Sequence, residues 1–349
     1  MEKKRDLTLD IAKAICIILM VVGHSFLTHN YWHNFIYMFH MPCFFLISGW
    51  LLSDKYLVDL KVGLMRKAKG SYWPFVKWTL IFLLFHNLFA QLHIYDASYS
   101  LREFVVKIVR IFTLTGSEQL LGGFWFLISL FWASVASLLF LWFLKRIGKL
   151  TNTCISGGVI LMLLITVGEK WIPFRLPQQF GEQTMMATAF YLTGYLSRRV
   201  DVMGRCGSRW MVSLLVIPAV AAVFMDLGMV TTKGFEIIVY YFVAVCGTFG
   251  VLSFSRWIAQ HSISSFLKYV GDKTLYILIF HFLAFKVVSY AYIACSGSPI
   301  SMLSQFPVMN DVPSWLWAVY TIVGVGLSLL MWEIVNRISI KVKTIKINR

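Results

Sequence analysis

The sequence predicts an all-α, polytopic membrane protein of about ten transmembrane helices with both termini in the cytoplasm. Three observations carry this. Of the 349 residues, 58% are hydrophobic and only 14% charged, where a soluble chain would carry about a quarter charged residues. Apolar runs recur along the whole chain at lengths approaching the ~20 residues that one helical crossing needs. Finally, the 32 Lys and Arg residues are unevenly placed: 23 fall on one set of alternate connections, 6 on the other and 3 within apolar runs. Basic residues gather on cytoplasmic loops, so this split sets the orientation and favours an even number of crossings. Helices are required because an open strand leaves backbone groups unpaired in lipid.

The runs lie at about 8–28, 34–52, 72–92, 123–144, 154–169, 184–198, 210–230, 235–256, 273–294 and 313–336, the fifth and sixth being short. The first is preceded by the basic Lys3, Lys4 and Arg5 and so imitates a signal peptide. It holds Asp10 and Lys13, lacks a small-residue cleavage site and leads directly into a second run, which makes it an uncleaved first helix. Pro42 removes a backbone donor within the second run, so a kink is expected there. Between the third and fourth runs, Leu101–Phe112 is amphipathic at helical spacing; such a helix lies along the membrane surface or packs as a lid. Stretches 168–183 and 295–312 are Pro- and Gly-punctuated loops. No repeat or composition shift marks a second unit, so residues 1–349 are expected to form one transmembrane domain with no appended soluble domain.

Net charge is +16. In a soluble protein this would raise nucleic-acid binding, but the basic cytoplasmic face accounts for most of it and no nucleic-acid partner is expected. The partner that composition demands is the lipid bilayer. Cys16, Cys43, Cys154, Cys206, Cys246 and Cys295 form no CxxC pair, and neither a zinc nor another metal site is expected.

Ionisable side chains inside a membrane segment are costly and point to function. Lys13 and His24 are eleven positions apart, which places them within roughly 20° of one helix face and ~16 Å apart along the axis. Asp10 can pair with Lys13 at i,i+3. His40 enters the second helix from the opposite direction and reaches a depth similar to that of His24. His29, His33, His86, His93 and His261 read as loop, interfacial or structural residues, while Lys77 and Lys286 are expected to snorkel to the two membrane faces.

The chain resembles the acyltransferase 3 family, and within it the fucose 4-O-acetylase-like branch. The residues that carry this are Arg5, Asp10, Lys13, Gly23-His24 and the segment Phe39-His40-Met41-Pro42-Cys43-Phe44-Phe45-Leu46-Ile47-Ser48-Gly49. The family's basic-x10-His motif matches Lys13 and His24, and its Met-Pro-x-Phe-Phe-x-x-Ser-Gly pattern matches 41–49. A basic pair before the third helix matches Arg66 and Lys69. Lys69 stands where arginine is usual, and it lacks the fork that grips a phosphate at two points. Gly123–Leu127 resembles the Trp-Phe-Leu signature, and Gly271–Ile277 through His281 resembles the late Gly-x-x-Ser-Leu…His segment.

The resemblance implies a bacterial enzyme of the cytoplasmic (inner) membrane that moves an acetyl group from cytoplasmic acetyl-CoA to a hydroxyl of a cell-envelope or exported glycan, or of a lipid-linked sugar. Lys13, Arg66 and Lys69 would hold the CoA phosphates by charge-assisted bonds, with Asp10 orienting Lys13. His24 would act as general base, or carry the acetyl group itself. His40, Trp125 and His281 are the acceptor-side candidates; Trp125 offers a flat apolar face and an N–H donor. A competing reading, a transporter or flippase of a lipid-linked sugar, also needs polar groups at depth.

Overall fold

The computed structural model describes residues 7–26, 28, 30–169, 182–205 and 211–347, with side chains left out at Glu182, Arg205 and 339–347. Lys3, Lys4 and Arg5, His29, the loop residues 170–181 with Lys170 and Arg175, Cys206, Arg209 and Arg349 lie outside the described residues. The chain runs through α1 (Leu7–Ser25), α2 (Tyr31–Tyr37), α3 (His40–Trp50), α4 (Leu60–Lys67), a π turn (Ala68–Tyr72), α5 (Trp73–Leu84) and α6 (His86–Gln91). It continues through α7 (Leu101–Phe112), a 3-10 turn (Gln119–Phe124), α8 (Trp125–Arg146), α9 (Asn152–Gly168), α10 (Glu182–Arg199) and α11 (Val202–Arg205). The last elements are α12 (Val216–Phe224), α13 (Glu236–Ile258), α14 (Ser264–Asp272), α15 (Thr274–Ser296) and α16 (Leu316–Ile347). No strand occurs among the described residues.

Five helical segments among the described residues are long and apolar enough to cross a membrane unaided: Leu7–Ser25, Gln119–Arg146, Glu236–Ile258, Thr274–Ser296 and Leu316–Ile338. The chain is therefore a multi-pass, all-helical membrane protein. The other expected runs correspond to shorter or interrupted helices, and the interruptions have local causes. The second run does not kink at Pro42. It breaks earlier, between Tyr37 and His40, where Phe39 leaves helical geometry at φ −140°, ψ −20°. Pro42 then sits in the first turn of α3, where its missing N–H costs nothing. The third helix begins at Leu60, twelve positions before its expected start, because α4, the π turn and α5 run on without a break. Residues 225–230, expected as the end of the seventh run, instead form a loop after α12 that continues to 235, the expected first residue of the eighth run.

The amphipathic segment is helical. Ser100 caps α7: its hydroxyl accepts the Glu103 N–H, and the Glu103 carboxylate accepts the Ser100 N–H at 2.7 Å. That backbone bond holds the Glu103 carboxyl below its ordinary value. α7 packs along α5, and the Tyr72 hydroxyl donates to the Phe112 carbonyl at 3.0 Å. Lys77 is exposed, but Lys286, also expected to snorkel, is not. Its side chain is buried, and Nζ donates to the carbonyls of Leu303 and Gln305, tying the loop 297–315 to α15.

α1 packs against α3, α13, α14 and α16 and so stands inside the bundle. α10 is also internal, lodged among α3, α8 and α9. Nearly all its described side chains from Thr184 to Ser197 are buried or half-buried, including Thr184, Thr188 and Ser197. A helix shielded from lipid on all sides needs no apolar face, which is why its sequence reads as a weak crossing. Its contact with α3 is backbone to backbone. A Cβ on Gly49 would lie 1.8 Å from the Tyr191 carbonyl oxygen, and one on Gly194 would lie 1.9 Å from that of Leu46. Small residues at such crossings let membrane helices approach closely. Gly194→Ala is expected to lower stability by at least about 1–3 kcal/mol, the usual cost of overpacking. The thermal midpoint of purified protein would show it, and Gly157→Ala, whose Cβ would meet open space, should leave that midpoint in place.

Candidate active site

Two cavities meet inside the bundle. The first, about 320 Å³, is lined by His24, His33, Tyr37, His40, Trp125 and the loop residues Asp226 and Gly228 to Thr231. The second, about 180 Å³, is lined by Lys13, Ile17, Ser48, Gly70 and Thr274, with Phe126 and Leu130 from α8. Met20, Met41 and Leu278 belong to both linings and form the wall between them. His24 and Lys13 thus occupy neighbouring cavities along one face of α1.

His24 lies in the last turn of α1, yet it is not at the edge of the protein. Its ring stacks on His281 at 5.5 Å between centroids and lies 5.0 Å from Phe282. Those two residues stand early in the 23-residue α15. Tyr37 approaches from the other side, with its hydroxyl 3.4 Å from His24 Nδ1. Gly23 makes this possible, because a Cβ there would be 2.7 Å from the Tyr37 ring. His33 stacks on Tyr37 at 3.9 Å, and Tyr37 meets His40 edge-on at 4.9 Å.

Two neighbouring histidines have fixed tautomers. His40 Nδ1–H donates to the Ile36 carbonyl at 2.7 Å. His281 Nδ1–H donates to the carbonyls of Ile277 and Leu278 at 2.9 and 3.1 Å. A carbonyl only accepts, so Nε2 is left as the acceptor in each neutral ring. His281 is fully buried, and its Nε2 has no hydrogen-bond partner among the described residues. It stands behind His24 and is not part of the cavity lining.

Lys13 Nζ lies 2.7 Å from Asp10 Oδ1, with the carboxylate almost wholly buried and the lysine partly open. Arg66 and Lys69 are exposed and line neither cavity, although Gly70, next to Lys69, does. The basic residue between them, Lys67, turns inward instead and donates to the Tyr191 hydroxyl at 2.6 Å. Trp125 is in place on the first cavity. Sequence reasoning missed His33, Tyr37 and the 226–231 loop. The i,i+4 spacing of His33 and Tyr37 would have put those two on one face, but the loop lay inside an expected helix.

The wall bearing Trp125 is clamped from outside the cavity. Glu118, just before the 3-10 turn, bonds His86 Nδ1 at 2.7 Å, while His86 Nε2–H donates to the Ala97 carbonyl at 3.0 Å. Tyr95 and Tyr99 sandwich the His86 ring at 4.5 and 3.4 Å. On the other side Phe306, from the loop that Lys286 ties down, packs on Phe282 at 4.5 Å. Among the described residues no group of three or more His, Cys, Asp or Glu side chains is arranged to hold a metal.

The family model described as an acyltransferase domain matches residues 6–333. The chain belongs to the acyltransferase 3 family. That membership favours the enzyme reading of the buried polar groups over the transporter reading. The chain is also 31% identical over 180 residues to nodulation protein NolL of Sinorhizobium fredii (strain NBRC 101917 / NGR234), covering 48% of this chain and 44% of that protein. It is 30% identical over 168 residues to nodulation protein NolL of Mesorhizobium japonicum (strain LMG 29417 / CECT 9101 / MAFF 303099), covering 45% and 40%. The aligned part thus spans less than half the length of these relatives. No solved structure matches the chain.

The His86–Glu118 pair yields a stability prediction. Glu118→Ala leaves a buried His86 without its carboxylate and is expected to cost about 3–5 kcal/mol. The loss should be read as a lower thermal midpoint, and Glu118→Gln should recover part of it because an amide oxygen still accepts.

Proposed function

We propose that this acyltransferase moves an acetyl group from cytoplasmic acetyl-CoA to a hydroxyl of a cell-envelope or exported glycan, or of its lipid-linked precursor, across a bacterial inner membrane that it crosses about ten times. The observation that supports this best is the pair of abutting cavities, with a lysine in one and a histidine in the other. A donor that enters beside Lys13 carries its phosphates to a cation and its thioester toward His24. The ~16 Å between those residues along α1 is then the span of the pantetheine arm.

Each residue has a role in this scheme. Lys13, held by Asp10, pairs with a donor phosphate, and the exposed Arg66 and Lys69 extend the basic rim on the same side. His24 removes the proton of the acceptor hydroxyl as its oxygen attacks the thioester carbon. The new C–O bond forms, the C–S bond breaks, and the proton passes from His24 to the departing CoA thiolate. His40 presents an Nε2 lone pair to the acceptor's hydroxyls, and Trp125 offers its face to the sugar ring. His281 supports the His24 ring from behind and so keeps its orientation.

The test separates donor binding from chemistry. With radiolabelled acetyl-CoA and membrane glycans, His24→Ala should lose at least ~100-fold in turnover while still binding acetyl-CoA. Lys13→Ala should show the reverse split, with affinity for acetyl-CoA roughly tenfold weaker, the worth of one charge-assisted bond. Full activity in the His24 variant would remove the base, and unchanged affinity in the Lys13 variant would place the phosphates elsewhere.

A further inference from the structure

The cavity beside Lys13 is walled by side chains except at Gly70, where the wall is bare backbone. Gly70 lies in the π turn, where the Trp73 N–H reaches back five residues to the Ala68 carbonyl. It is exposed as well as cavity-lining, so the cavity reaches the protein surface at this point. π turns are rare and concentrate at functional sites.

A glycine within a helix costs about 1 kcal/mol relative to alanine, and the usual reasons for tolerating it are absent here. Gly70 is not among the glycines with positive φ, which are Gly148, Gly234 and Gly297. Nor does a neighbour crowd it, since a Cβ at this position would find no atom within 4 Å. What a side chain would occupy is the opening itself.

Resting on the donor reading above, we propose that the π turn Ala68–Tyr72 is the port of the donor cavity. Gly70 keeps that port open for a slender, unbranched chain, the pantetheine arm of an acyl-CoA. The α1 side of the passage carries Lys13, and the start of α15 supplies Thr274. A bulky side chain at position 70 fills the opening without disturbing any packing contact.

The test is a size series, Gly70→Ala, Gly70→Val and Gly70→Phe, in the purified full-length protein in lipid nanodiscs. Acetyl-CoA affinity is measured by calorimetry and stability by thermal denaturation. Gly157→Phe serves as the control, because Gly157 also has open space at its Cβ and lines neither cavity. Affinity should fall in order of size, by roughly tenfold or more for phenylalanine, with the thermal midpoint held and the control unaffected. If the phenylalanine variant does not fold, valine carries the same comparison. Wild-type binding with an unchanged Gly70→Phe or Gly70→Val, or an equal loss in the control, overturns the port and leaves the donor reading standing. A wild-type protein that does not bind acetyl-CoA removes the donor reading and the port with it.

Discussion

A membrane helix can carry charge only if its neighbours stand in for water. α1 holds Asp10, Lys13 and His24 in a run that is otherwise apolar, and the bundle is arranged to shelter them. Asp10 is buried against Lys13 at 2.7 Å, so that neither ion faces hydrocarbon alone. An isolated charge at the bilayer centre costs ~2.5–3.5 kcal/mol even on the most lenient scales. Helices α3, α13, α14 and α16 surround α1 for this reason, and the two cavities open where that shell leaves room. The position of the site therefore follows from the need to house the polar face of one helix.

Much of this was legible in the sequence, and what was hidden was hidden for physical reasons. Periodicity and charge placement exposed α1, α8, α13, α15 and α16, because each carries an apolar run long enough to cross a membrane unaided. α10 was faint because it is enclosed by protein and can afford threonines and a serine. The early start of the third helix was obscured by its basic residues Lys61, Arg66, Lys67 and Lys69, which read as a connection. The break before His40 could be anticipated from Pro42 only to within a turn, since proline constrains the residues ahead of it as well as its own. Lys286 was misjudged because a lone lysine in an apolar run ordinarily snorkels. Here two carbonyls of the loop that follows the same helix, 17 and 19 residues further along, satisfy it instead.

The candidate site divides in the same way. The Lys13–His24 spacing was readable because one helix carries both, and Trp125 and His40 because the motifs around them are local. The 226–231 loop joins the site only through tertiary packing, and no pattern within a single element announces it, whereas His33 and Tyr37 share one face of α2 at i,i+4. The roles of Gly23 and Gly49 within the matched motifs became clear only with their partners in view. One admits the Tyr37 ring to the side of His24, and the other allows α10 to lie directly on α3.

The wall shared by the two cavities bears on what else could cross a membrane alongside an acyl group. A permanent water-filled passage from one face of an energised membrane to the other would leak protons and dissipate the gradient. Here the cavities are parted by Met20, Met41 and Leu278, three flexible, unbranched-at-Cβ side chains with no polar hydrogen to relay a proton. Thioethers of this kind readily change rotamer to fit an irregular guest. On the acyl-transfer reading proposed above, such a seam would part around a thin chain and close behind it, passing a small acyl group without leaving an open channel.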